Sequence, residues 1–164
     1  VVESYENYKE EDRLTTNNAR KIEFITTTRV LDEVIDAESK ILDCAAGTGV
    51  YAFWLADKGH DVTATDITPR HIDIINQTLK TKKYSMNTAV LDATDMSCFA
   101  DDTFDVVLNM GPFYHLVTEK QREKCCVSYR SASFVAGLAL LFARLWACGV
   151  CAVGRIIAAS EILP

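Results

Sequence analysis

The chain has 164 residues, the length of one domain with a single core. An apolar fraction of 49% with 24% charged residues is that of a soluble globular protein, and a net charge of −6 excludes an extended nucleic-acid surface as an expectation. No basic, apolar and small-residue order marks a signal peptide at the N-terminus, so the six cysteines are expected as inert thiols in the cytoplasm, with no metal site.

Residues 1–18 are polar and acidic and read as an N-terminal segment. Asn18 is a good N-cap for a helix over Ala19–Asp36, in one piece or in two broken near Thr26-Thr27-Thr28. The run Ile41-Leu42-Asp43-Cys44-Ala45-Ala46-Gly47-Thr48-Gly49 then reads as a buried strand, a tight turn and a helix start. The helix covers Val50–Lys58, and Gly59 is its C-cap. This is the first half of a βαβ nucleotide-binding unit, and glycine in its turn lets a ligand approach the backbone.

Asp61–Asp66 is a second strand, alternating and β-branched. Thr68-Pro69 opens a helix with an N-cap and a proline at N1. Met86–Leu91 is a third strand, followed by Asp92-Ala93. Phe104–Met110 is the most strand-like run in the chain, and it leads into Gly111-Pro112-Phe113-Tyr114-His115-Leu116. Thr118-Glu119-Lys120-Gln121 matches a capping box, so a helix follows to about Tyr129. The predicted fold is α/β, a doubly wound and mostly parallel Rossmann-like sheet. Its core occupies residues 19–131, and residues 132–164 form an atypical apolar tail.

Gly47-Thr48-Gly49-Val50-Tyr51-Ala52 satisfies the dinucleotide pattern G-x-G-x-x-G/A. Asp43 decides against a pyrophosphate, which seeks bare N–H groups and would be repelled by a carboxylate at the strand end. The same carboxylate suits an ammonium beside a sulfonium centre, so S-adenosylmethionine fits better than NAD. Asp66 lies about twenty residues beyond the glycines, the offset at which an acidic side chain meets both hydroxyls of a ribose. Asp43, Asp66 and Asp92 each end a successive strand, and ligands of open α/β sheets bind at those ends.

On these residues the sequence resembles the class I S-adenosylmethionine-dependent methyltransferases over roughly Arg20 to Gln121. Their first motif, D/E-x-G-x-G-x-G after an apolar strand, stands here as Asp43-Cys44-Ala45-Ala46-Gly47-Thr48-Gly49, with Ala45 in place of the first glycine. The resemblance implies a cofactor set of Asp43, Ala45, Gly47, Gly49, Asp66, Ile67, Asp92, Ala93 and Asn109. Within it Asp92 meets the adenine amino group, and the Ala93 backbone N–H meets the ring. It also implies an N-terminal lid carrying Tyr5 and Tyr8. A fourth motif at Asn109–Leu116 would place Tyr114 and His115 as catalytic residues, with His115 as the base for an oxygen or nitrogen acceptor.

From Cys125 onward the pattern departs from the family. Val135–Ala143 supplies a fifth strand, but the rest is too short for the helices and antiparallel hairpin that should follow. The sheet is therefore expected to be incomplete, its fifth strand an open edge inviting self-association. Ser133–Ala159 is long and apolar enough to suggest a membrane span, but Arg144 near its middle disfavours that reading. A truncated or frame-shifted gene is another reading of the tail. The expected function is methyl transfer to a small-molecule acceptor. A non-catalytic binding remnant and an NAD-dependent oxidoreductase are the alternatives.

Overall fold

A computed structural model describes residues 18–82, 84–141 and 156–158. The Tyr5 and Tyr8 lid, Arg144, Cys148 and Cys151 lie outside these residues. A six-stranded sheet has the order β3-β2-β1-β4-β5-β6. Its strands are β1 (Lys40–Cys44), β2 (Asp61–Asp66), β3 (Met86–Val90), β4 (Phe104–Asn109), β5 (Ser133–Leu141) and β6 (Ile156–Ala158). All neighbours are parallel except β5 and β6. The strand order reverses between β1 and β4, and the crevice at such a switch point is where doubly wound sheets hold their ligands.

Helix α1 (Asn18–Val34) precedes β1, α2 (Val50–Asp57) joins β1 to β2, and α3 (Pro69–Thr81) joins β2 to β3. All three cover one face. Leu31, Tyr51, Ala52, Leu55, Ile72 and Ile75 pack there on Ile41, Val62, Ala64, Val106 and Leu108. Helix α4 (Glu119–Ala132) covers the other face, where Cys125, Tyr129 and Ala132 meet Leu42, Cys44, Phe104 and Val107. Alternation along a strand thus sends Asp43 to the three-helix face and Cys44 to the α4 face.

Several local expectations stand corrected or settled. The threonines do not break α1. Thr26 and Thr28 donate back to the carbonyls of Ile22 and Phe24, both at 2.8 Å, and so satisfy their hydroxyls inside one continuous helix. The capping box at the start of α4 closes reciprocally. Gln121 N–H donates to Thr118 Oγ1 at 3.3 Å, and Thr118 N–H donates to Gln121 Oε1 at 3.0 Å. That helix runs on to Ala132 and passes without a loop into β5.

Strand β5 is not an open edge. Leu138–Leu140 pair antiparallel with β6, so one strand of the missing end of the sheet is present. The pairing of β5 with β4 is irregular at its start. Phe104 faces Ser133 while Val106 already faces Leu138, so extra β5 residues bulge out of the ladder. Ser133–Leu141, the start of the stretch considered as a membrane span, is strand. Among the described residues no helix is long and apolar enough to cross a membrane.

Candidate active site

The turn after β1 is built from backbone conformations that suit glycine. Gly47 has φ 57° and Gly49 has φ 83°, both left-handed. A Cβ on Gly49 would come within 2.9 Å of Ile75 Cγ1 on α3, so this glycine is demanded by helix packing as well as by φ. Ala45, where the family pattern has glycine, also sits at φ 58°. The departure therefore does more than add a methyl group: it places an L-residue in a conformation that costs it about 1–2 kcal/mol.

Asp43 is buried at 3% exposure, and its Oδ2 has no hydrogen-bond partner among the described residues. Burial pushes its carboxyl up to about 7, the nearby Asp66 carboxylate adds to this, and a backbone hydrogen bond from Ala52 opposes it. Among the described residues no lysine or arginine acts on it. An orphaned buried carboxyl oxygen at the switch point is what a ligand's ammonium group would satisfy, and the donor set fits S-adenosylmethionine in this respect.

Asp66 is buried too, but it is engaged. Gly47 N–H donates to its Oδ2 at 2.9 Å, and Thr68 N–H donates to its Oδ1 at 2.8 Å. It thereby ties the glycine turn to the start of α3, replacing a Thr68 side-chain cap, which that helix lacks. His71, the third residue of α3 and 3% exposed, brings Nδ1 to 3.2 Å from Asp66 Oδ1. A carboxylate offers about four lone-pair sites, so acceptor capacity for ribose hydroxyls is left. Ile67, the next residue, is partly exposed at the same strand end.

Asp92 lies two residues past β3 and is exposed, with Oδ1 accepting the Thr94 N–H at 2.8 Å in an Asx turn. Ala93 packs beside it against the α4-side core. Asn109 ends β4 in register with Cys44, and so lies on the opposite face from Asp43. It is 2% exposed, and neither end of its amide has a hydrogen-bond partner among the described residues. Tyr129 on α4 donates its hydroxyl to Cys44 Sγ at 3.4 Å. Burial raises the Cys44 and Cys125 thiols to about 12 and the Tyr129 hydroxyl well above its ordinary value, so all three stay protonated.

Pro112–Tyr114 forms a 3₁₀ turn closed by His115 N–H on Pro112 O at 2.8 Å. His115 is exposed just beyond it. The side chain of Tyr114 lies outside the described residues. Cys44, Cys98, Cys125 and Cys126 are free thiols, and no cluster able to hold a metal ion occurs among the described residues.

Sequence reading missed His71, Tyr129 and the tie from Asp66 to Gly47. A histidine at the third position of a helix that follows a strand-end aspartate was the available signal for the first. The others join residues far apart in the chain.

The fold is an open, mostly parallel sheet with two buried carboxyls, Asp43 and Asp66, at the ends of neighbouring strands beside its switch point. The profile of the methyltransferase domain family matches residues 41–132, more than half of the chain, and the chain belongs to that family. Membership implies S-adenosylmethionine as the cofactor. Among solved structures, the chain is similar to the N-methyltransferase NodS from Bradyrhizobium japonicum WM9, solved with S-adenosyl-L-homocysteine. The TM-score is 0.71 at 20% identity, covering 84% of this chain and 70% of that one.

A protein from Pyrococcus horikoshii OT3 is similar with a TM-score of 0.68 at 24% identity, over 84% of this chain and 63% of that one. A S-adenosylmethionine-dependent methyltransferase from Methanosarcina mazei gives 0.63 at 20% identity, over 67% and 54%. At these identities the likenesses show the fold. The chain spans little more than half to under two thirds of the last two relatives. No curated protein sequence matches the chain.

Proposed function

We propose that the protein transfers the methyl group of S-adenosylmethionine to a small-molecule acceptor. The observation that carries this reading is Asp43, a buried carboxyl at the switch point with one oxygen left without a partner. A nucleotide pyrophosphate would meet repulsion there, and an ammonium meets its counter-ion.

In this reading Asp43 holds the ammonium of the amino-acid moiety, with the glycine turn giving its backbone to the same end. Asp66 accepts from the ribose hydroxyls through the lone pairs that Gly47 and Thr68 leave, and Ile67 lies against the nucleoside. Asp92 and the Ala93 N–H read the adenine, and Asn109 completes the floor from β4. When bound, S-adenosylmethionine supplies an electrophilic methyl carbon on a sulfonium. The protein's remaining task is alignment of the acceptor. His115, exposed beyond the 3₁₀ turn, takes the proton of an oxygen or nitrogen acceptor, and Tyr114 borders the same loop.

Transfer of an isotope-labelled methyl group to a panel of small molecules and to RNA tests the reading. The expected result is labelling of a small molecule, reduced on the order of 10²-fold or more by His115→Ala with S-adenosylhomocysteine affinity unchanged. Rapid labelling of RNA, or activity indifferent to His115, would place the acceptor side elsewhere.

A further inference from the structure

Two buried carboxylates share the three-helix face of the sheet with unequal support. Asp66 on β2 accepts two backbone N–H groups and faces His71 from α3. Asp43 on β1 keeps one oxygen without a partner among the described residues. The groups that act on Asp43 are Asp66 from β2 and the Ala52 backbone N–H from α2, with the Cys44 thiol next to it on its own strand. Leu31 and Phe24 of α1 and Leu108 of β4, which pack on the same core, carry no charge. Of two neighbouring buried carboxyls, the one that accepts fewer hydrogen bonds holds a proton more readily. That one is Asp43.

We propose that Asp43 exchanges this proton for the ligand's ammonium, so that S-adenosylmethionine and S-adenosylhomocysteine bind with release of one proton. The carboxyl O–H bond breaks, its proton leaves to solvent, and the carboxylate forms an ion pair with an ammonium that was already protonated. Charge is conserved, with no further reactant. Because burial and Asp66 hold Asp43 at about 7, the exchange falls in the neutral range, where small pH changes alter cofactor occupancy. The inference rests on the cofactor reading above and adds its regulation by pH.

Titration calorimetry of the full chain with S-adenosylhomocysteine, from pH 5.5 to 8.5 in phosphate and in a second buffer of different ionisation enthalpy, is the test. 5′-Methylthioadenosine, which keeps the adenine and ribose but has no amino-acid moiety, is the comparison ligand. The expected result for S-adenosylhomocysteine is affinity rising about tenfold per pH unit below 7 and levelling above it. Release should be close to one proton at pH 6 and close to none at pH 8.5. The comparison ligand should show neither effect, and Asp43→Asn should bind S-adenosylhomocysteine more weakly and without the pH slope.

A flat profile for S-adenosylhomocysteine overturns the exchange and leaves the cofactor reading standing. An equal slope for both ligands separates the pH effect from the amino-acid moiety and also overturns it. No binding of S-adenosylhomocysteine at any pH removes the cofactor reading, and the exchange with it.

Discussion

Two neighbours on one strand, Asp43 and Cys44, show how differently the two faces of this sheet handle buried polar groups. Both lie at the carboxyl end of β1, both are almost fully buried, and burial raises both above their ordinary values. On the α4 face the groups are thiols, a phenol and an amide. Raising the Cys44 thiol to about 12 leaves it neutral, and the Tyr129 hydroxyl bonds it. On the three-helix face the groups are carboxylates, and the same burial brings Asp43 to about 7, where its charge is in play. One face holds polar groups that stay neutral near physiological pH. The other gives a carboxyl the role of a group that titrates near neutrality, with one oxygen left without a partner among the described residues.

The two carboxylates divide this second role, and the largest expected effect separates them. Asp66 accepts two backbone N–H groups in a buried place, each such bond to a charged group contributing about 1.5–3 kcal/mol. Asp66→Ala should therefore lower unfolding stability by roughly 3–6 kcal/mol in urea titrations, in addition to its loss of ligand affinity. A loss below about 1 kcal/mol in the folded variant would mean that the tie to Gly47 is not structural.

Asp43 should behave in the opposite sense. Its folded value of about 7 lies above the ordinary 3.8, so the ligand-free fold binds the proton more tightly than the unfolded chain. Stability is then fully present below pH 4 and falls as pH rises to 7, by up to about 4 kcal/mol at about 1.4 per unit. Asp43→Asn should make the ligand-free protein more stable at pH 8 by up to that amount, and have little effect at pH 4. A variant less stable than the parent at pH 8 would show that the carboxylate supports the fold rather than strains it.

These two roles mark where the sequence stopped being informative. The carboxyls at or near strand ends were legible because each follows or closes an alternating or apolar run, though β3 stops at Val90, two residues short of Asp92. The glycine turn and the Thr68-Pro69 helix start are local signals. That Asp66 would be occupied by Gly47 N–H, nineteen residues away, was not legible. Neither was the contact of Tyr129 with Cys44, eighty-five residues away, nor the cover that β6 gives to β5. Such features depend on which strands come to lie side by side, and side-chain periodicity carries no record of that. Asn109 illustrates the limit: its place at the end of β4 was readable, but its position on the thiol face followed only from the register with Cys44.

On that neutral face a smaller effect is expected. Tyr129→Phe removes the hydroxyl that bonds Cys44 while keeping the ring in place. The cost should be about 1 kcal/mol, the net value of a buried neutral hydrogen bond. Because the thiols and the phenol are all held well above the neutral range, the loss should be the same at pH 6 and pH 8.5. A loss that grows over this interval would mean that a charge resides on the α4 face as well, and the contrast between Asp43 and Cys44 would collapse.

The smallest expected effect lies in the turn that separates the two faces. Ala45 holds φ 58°, a left-handed conformation that costs an L-residue about 1–2 kcal/mol and glycine almost nothing. Ala45→Gly relieves that strain but gives the unfolded chain more freedom, which takes back about 0.4–1 kcal/mol. The net gain should be about 0.5 kcal/mol, read as a small upward shift in the urea midpoint with an unchanged slope. Relief of strain in the turn should also leave the pH profile of S-adenosylhomocysteine binding unaltered, since no titrating group is touched. A variant that loses stability would mean that the Ala45 methyl is worth more in packing than the φ angle costs. The strain of the site would then rest with Asp43 alone.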